Sequence, residues 1–247
     1  DDEVRAVIVT GAGRAFCAGA DLSSAGGDTF NYGGQPKDGA FARDAAVHRD
    51  RGGLATLRMF ESMKPIIAAV NGAAVGVGAT MLLPMDVRLA ADGARFGFVF
   101  TRRGIVPESC SSWFLPRLVG LSTALEWCAT GRLFDAAEAK ERGLVRSLHA
   151  PQDLLEAANT LARQIADNAA PVSVALARRM LLDMLAEPHP MAAHRLESRL
   201  MVARGKAGDA KEGVSAFLEK RAAHFTDKVS RDLPQPFPWR PPPPFSA

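Results

Sequence analysis

Two glycine-punctuated stretches are the parts of this chain best suited to chemistry. Gly11-Ala-Gly-Arg-Ala-Phe-Cys-Ala-Gly-Ala-Asp21 follows the β-branched run Ala6 to Thr10, and Asn71-Gly-Ala-Ala-Val-Gly-Val-Gly78 follows the apolar run Pro65 to Val70. Any one of these glycines has a plain reading as a tight-turn residue. Two such turns after two buried strands have a second reading. They expose backbone N–H groups, one set at a helix N-terminus, that converge on an anion. Neither stretch is a dinucleotide fingerprint, because the sixth position of GxGxxG is Phe16 counted from Gly11 and Met81 counted from Gly76. No GxxxxGK[ST] run is present, which argues against a nucleotide triphosphate.

Composition narrows the chemistry further. The 247 residues, 47% apolar and 23% charged, suit one large domain or a core with a smaller lobe. A formal charge of +3 with 7% aromatics, and no basic stripe, argues against nucleic acid. A mildly basic surface still suits a polyanionic small molecule. Cys17, Cys110 and Cys128 are odd in number and far apart, as expected of a reducing compartment without a disulfide framework. His48, His149, His189, His194 and His224 form no HExxH pair, so no metal is implied. Asp1-Asp2-Glu3 is the wrong start for a signal peptide. The apolar stretch Ile66 to Met85 has the length of a membrane span, but Asn71, Pro84 and glycines 72, 76 and 78 interrupt it. A soluble protein is expected.

The elements that must position these turns are read from periodicity. Ala6 to Thr10 and Ile66 to Val70 read as buried strands. Val77 to Leu83 reads as a helix, and Val87–Ala91 and Ala94–Phe98 as two strands across the Asp92-Gly93 turn. Phe41 to Met63 has helical spacing weakened by Gly52-Gly53 and ended by Pro65. Ser23 to Gly39 is a Gly-rich loop. Ser122–Thr130 and a helix opening at Asp135-Ala-Ala-Glu138 follow, the first closed by Gly131 and the second by Gly143. Further helices are expected near 152–168, 171–186, 191–203 and 209–224. The proline-rich tail, Leu233 to Phe245, is expected to be extended, packed along a neighbouring subunit rather than serving as an SH3-type ligand. Strand-turn-helix units first and helices last predict an α/β core with a helical C-terminal lobe. The boundaries are 1–150 for the core, 151–232 for the lobe and 233–247 for the tail.

Several of these stretches together resemble the crotonase (enoyl-CoA hydratase/isomerase) family. Arg14-Ala-Phe-Cys-Ala-Gly-Ala-Asp-Leu22 is similar to the family segment that supplies one oxyanion donor and wraps coenzyme A. Pro65 to Gly78 is similar to the segment that supplies the other. Ala91-Asp-Gly-Ala-Arg-Phe-Gly97, Thr130 to Ala139 and Phe217-Leu-Glu-Lys-Arg221 match further family stretches in the same order. The resemblance covers nearly the whole chain. It implies a crotonase-like (ClpP/crotonase) spiral of ββα units and an acyl-CoA thioester as partner, with no cofactor beyond the coenzyme A of the substrate. It also implies a homotrimer or hexamer with the helical lobe at subunit contacts, and cytoplasmic fatty acid metabolism. The family's leading strand and helix are expected to lie before Asp1. A serine-peptidase reading on the same fold fails for want of GxSxG or a paired His.

Carried over by position, the oxyanion donors are the backbone N–H groups of Ala18 and Val77. Val77 stands where the family usually has Gly. The coenzyme A contacts implied are Ala20, Asp21, Leu22, Gly76 and Lys220, although Asp21 also reads as a turn cap and Lys220 and Arg221 as a solvated helix face. Met201 and Phe217 read as core or interface residues. The two glutamates of the family's hydratases fall on Thr80 and Phe100 here, and neither side chain can act as a base near neutral pH. A carboxylate comes later, in Gly104-Ile-Val-Pro-Glu-Ser-Cys-Ser-Ser-Trp113. This resembles the loop of the family's Δ3,Δ2-enoyl-CoA isomerases, which makes Glu108 the implied base. Its plainer reading is a surface turn residue after Pro107. Isomerisation through Glu108 is the leading expectation. The alternatives are hydration or another enolate reaction in the same pocket, and an acyl-CoA binder without catalysis.

Overall fold

The computed structural model describes residues 1–23, 29, 30 and 49–245; most of the Gly-rich loop expected at Ser23–Gly39 lies outside them. Among the described residues, eight short strands form two four-stranded sheets. One sheet holds β1 (Val7–Thr10), β3 (Ile66–Val70), β5 (Val87–Ala91) and β8 (Ser147–His149), in that order. The other holds β2 (Ala15–Cys17), β4 (Ala73–Val75), β6 (Arg95–Gly97) and β7 (Leu133–Asp135). Each successive strand pair thus gives one strand to each sheet before a helix follows: α1 (Arg51–Phe60), α2 (Val77–Thr80), then α3 (Ser111–Val119). This is a repeating ββα path. β3 pairs with β5, β5 with β8, β2 with β4 and β4 with β6, all parallel, while β6 and β7 are antiparallel. All five residues of β3 are buried, as expected of an inner parallel strand covered on both faces.

The Asp92-Gly93 turn is present, with Ala94 N–H donating to the Ala91 carbonyl at 3.0 Å. It does not make a hairpin, however, because β5 and β6 belong to different sheets and each already has a parallel partner. The turn residues encode the reversal and not the pairing. The expected helix Val77–Leu83 shortens to α2, with turns over Met81 to Met85. Gly52 and Gly53 stand in the first turn of α1 rather than in the middle of a longer helix, and α1 ends at Phe60. Residues 41–48 of that expectation lie outside the described residues.

Two compact units are distinguished. One comprises residues 9–60, 67–157 and 243–247. Its core includes Phe96, Phe98, Phe134 and Trp127 as stacked rings, Trp127 and Phe134 being 3.9 Å apart between centroids. Here α4 (Leu121–Thr130) ends on left-handed Gly131. In α5 (Ala136–Glu141) the N-cap Asp135 accepts from Glu138 N–H at 2.9 Å. The other unit comprises residues 1–8, 61–66 and 158–242. It carries most of α6 (Leu154–Asn168), with α7 (Pro171–Met184), α8 (Met191–Gly205) and α9 (Gly208–Glu219). The tail packs on its own chain. Leu233, Phe237 and Trp239 fold back on the chain's own cluster of Val172, Leu176, Leu196 and Leu200, and Trp239 Nε1 donates to Asp183 Oδ2 at 2.7 Å.

Candidate active site

The two glycine turns meet through their backbones. A Cβ on Gly78 would lie 2.0 Å from the Cys17 carbonyl oxygen, and one on Gly19 would lie 2.9 Å from that of Val75. Gly19 has φ +98 and Gly76 φ +58, a region that favours glycine. Asn71 ties the arrangement together. Its Oδ1 accepts from Gly11 N–H at 3.0 Å, and its Nδ2 donates to the Gly13 carbonyl at 2.8 Å. Ala18 and Val77 sit inside these contacts, each between two of the touching residues. Among the described residues, neither the Ala18 nor the Val77 N–H has a backbone or side-chain acceptor. Gly76 N–H, by contrast, is spent on the Gly97 carbonyl at 2.9 Å, and the Gly76 carbonyl receives Ala79 N–H. Gly76 is therefore the N-cap of α2, and Val77 its first residue.

Thr80 stands one turn further along α2, fully buried. Its hydroxyl donates to Glu108 Oε1 at 2.5 Å. The hydroxyl of Ser109 donates to the other carboxylate oxygen, Oε2. Glu108 is half-buried, not a surface turn residue. Burial pushes its carboxyl above the ordinary glutamate range; the hydrogen bonds from Ser109 and Thr80 pull it down, and nearby Asp50 pushes it up. The Cys110 thiol is likewise pushed up, by burial and then by the charges of Asp50 and Glu108. Phe100 is only 5% exposed.

The other residues carried over by position are more dispersed. Ala20, Asp21 and Leu22 are exposed beyond the first turn. Asp21 does cap that turn: its Oδ1 accepts from Ser23 N–H at 2.9 Å and from Ser23 Oγ at 2.7 Å. Lys220 belongs to the other unit, as the left-handed C-cap of α9, and next to it Arg221 is paired with Glu212 and Glu219. Met201 and Phe217 are 73% and 82% exposed, so neither is a core residue. Among the described residues no group of His, Cys, Asp and Glu is placed to hold a metal ion, and no helix is long and apolar enough to cross a membrane.

Three contributors escaped the reading by motif: Asn71, Ser109 and Asp50. Asp50 Oδ1 accepts from Gly52 N–H at 3.0 Å, and Oδ2 from Gly53 N–H at 2.8 Å, so it caps α1. An Asp just ahead of a helical run was the available signal for that cap. Nothing local showed that Oδ2 also receives Ser109 N–H at 2.7 Å.

Comparison with known proteins fits this architecture. A profile described as enoyl-CoA hydratase/isomerase matches residues 1–228. The chain belongs to that family. The enoyl-CoA hydratase ACTT3 of Alternaria alternata is 41% identical over 230 residues, covering 93% of this chain and 73% of that protein. The 1,2-epoxyphenylacetyl-CoA isomerase of Escherichia coli is 34% identical over 234 residues, covering 92% and 83%. Among solved structures, a probable enoyl-CoA hydratase/isomerase from Mycobacterium abscessus superposes with a TM-score of 0.79 at 33% identity, over 92% of this chain and 83% of that one. The two interleaved sheets are accordingly the crotonase fold.

Proposed function

We propose that the protein isomerises 3-enoyl-CoA to 2-enoyl-CoA, with Glu108 as the single acid/base group. The observation that carries this reading is the environment of Glu108: a half-buried carboxyl of raised proton affinity, fixed by Thr80 and Ser109, with Thr80 standing where the family's hydratases have a glutamate. In this reading Glu108 removes a proton from C2, and the electron pair moves into a dienolate. The thioester oxygen then carries negative charge, which the Ala18 and Val77 N–H groups stabilise by roughly 3 kcal/mol each. Glu108 returns the proton at C4, so the reaction balances with nothing added. A base whose proton affinity is raised above that of a free glutamate suits both halves of the transfer.

Ala20, Asp21, Leu22 and Gly76 would line the coenzyme A path, with Lys220 as a phosphate contact. Coenzyme A enters with the substrate, and no separate cofactor is required. The protein is proposed to work as a homotrimer or hexamer. Met201, Val202, Val214, Phe217 and Leu218 on α8 and α9, each at least 60% exposed, supply the apolar surface such contacts need. Sedimentation would read the assembly; a monomer at micromolar concentration would contradict it. The hydratase names of several relatives favour hydration as the second reading. Purified protein supplied separately with a 3-enoyl-CoA and a 2-enoyl-CoA distinguishes the two. Migration of the double bond with little water addition is expected, and dominant hydration of the 2-enoyl-CoA would overturn the proposal.

A further inference from the structure

Asp50 does more than a helix cap requires. Its bonds to Gly52 and Gly53 are those of an ordinary N-cap and need no functional reading. The third bond differs, because it reaches the N–H of Ser109, the residue directly after Glu108. Ser109 (φ 57) and Cys110 (φ 55) are consecutive non-glycine residues in the left-handed region, which side chains rarely adopt and which lasts only where the surroundings hold it. Ser109 is 1% exposed, so its N–H has no ready exchange with solvent. The packing is also tight. A Cβ on Gly52 would lie 2.1 Å from Glu108 Oε2, 2.1 Å from Ser109 Oγ and 3.3 Å from Asp50 Oδ1. The bare Cα of Gly52 thus lets two carboxyl groups gather at the start of one helix.

We propose that Asp50 is a positioning residue, locking the turn that carries Glu108 and setting a second carboxyl group beside it. This rests on the reading of Glu108 as the base. The titratable groups that face Glu108 are Asp50, from the segment before α1, and Cys110, from the cap of α3; α2 presents the neutral Thr80. Cys110, pushed up by burial, stays neutral through the acid range, which leaves Asp50 as the charge that tunes Glu108. Like charges side by side favour the protonated form of one of them, which helps the base to hold its proton until it is delivered at C4.

Two substitutions separate aim from charge. Asp50→Asn keeps an acceptor oxygen for the cap and removes the charge, whereas Asp50→Ala removes both. Asp50→Ala is expected to lose about 10- to 100-fold in kcat with little change in KM, as misplacement of a base does. In Asp50→Asn the acid limb of kcat/KM should move to lower pH. The ionised base is the active form, and loss of the neighbouring charge lowers the pH at which Glu108 takes up a proton. Carbon-13 NMR titration of the Glu108 carboxyl, assigned by its absence in Glu108→Gln, should show the same downward shift without any turnover. An unmoved titration in Asp50→Asn beside an inactive Glu108→Gln overturns the Asp50 inference alone, as does wild-type kcat in folded Asp50→Ala. Full isomerisation by Glu108→Gln overturns the base assignment, and with it any role of Asp50 in catalysis.

Discussion

The glycine turns around Ala18 and Val77 and the loop around Glu108 are held by opposite means. In the turns, backbone packs on backbone, and the side chain of Asn71 bridges them. In the loop, Asp50 and Thr80 from two distant segments, with the adjacent Ser109, fix one carboxyl group and the turn that follows it. A donor made of main chain survives most side-chain changes and fails only where an atom is added at the contact. A carboxyl held by hydroxyl groups and a neighbouring charge is adjustable one bond at a time. Under the proposed function, one fold can therefore keep its oxyanion donors and still change its proton chemistry, with Thr80 and Phe100 standing where the resemblance places the hydratase glutamates.

This contrast can be broken at either region, and the largest effect is expected in the turns. Gly78→Ala puts a methyl group 2.0 Å from the Cys17 carbonyl oxygen, so one chain must move and the Val77 amide with it. Activity should fall by about 10²- to 10³-fold, the size of losing one oxyanion donor. Circular dichroism and Tm would separate a displaced turn from an unfolded chain. A folded Gly78→Ala enzyme of wild-type activity would show that the contact does not set the donor.

In the loop the effects should be graded. Thr80→Val keeps volume in a fully buried site and removes one hydrogen bond to Glu108. Loss of a donor to a charged acceptor is expected to cost about tenfold in kcat. Because the Thr80 bond pulls the Glu108 carboxyl down, its removal should move the acid limb to higher pH, opposite to Asp50→Asn. Movement of both limbs in one direction would mean that the two groups do not act on Glu108 as described.

The smallest effect is on stability. The folded state holds the Glu108 carboxyl above its unfolded value, so the contribution of the protonated group is whole below about 4.3, the value of a free glutamate. That contribution is lost as pH rises through the folded value. Glu108→Gln should therefore match wild type in Tm at pH 4 and exceed it slightly at pH 8. A lower Tm at pH 8 would mean that the ionised carboxylate stabilises the fold.

The same contrast explains what could be read from the residues alone. Glycine turns are local. Gly11 to Asp21 and Asn71 to Gly78 carry their geometry in adjacent letters, so the resemblance could single out Ala18 and Val77 as the proposed donors. β2, β4 and β7, at three residues each, are too short to show a period, and α3 hides behind an internal Pro116 and a left-handed Cys110 cap. The separation of β5 from β6 depends on which strands already have partners, which no turn dipeptide records. Glu108 was legible through its Pro-Glu context, but its setting was not. Asp50 meets Ser109 only because α1 and the loop before α3 are brought together by the fold. The partner of the tail was hidden for a related reason. Its prolines say nothing of what the tail packs on, which is a cluster on α7 and α8 met by Phe237 and Trp239.

The most direct test of the central claim is turnover of a 3-enoyl-CoA by Glu108→Gln, alongside measurement of its affinity for acyl-CoA. Gln keeps the shape and the hydrogen bonds of the side chain but cannot carry a proton. With acyl-CoA binding retained, isomerisation should fall by about 10²- to 10⁴-fold, the usual worth of a general acid/base. Isomerisation at the wild-type rate by a folded Glu108→Gln protein would contradict the claim and place the base on another residue.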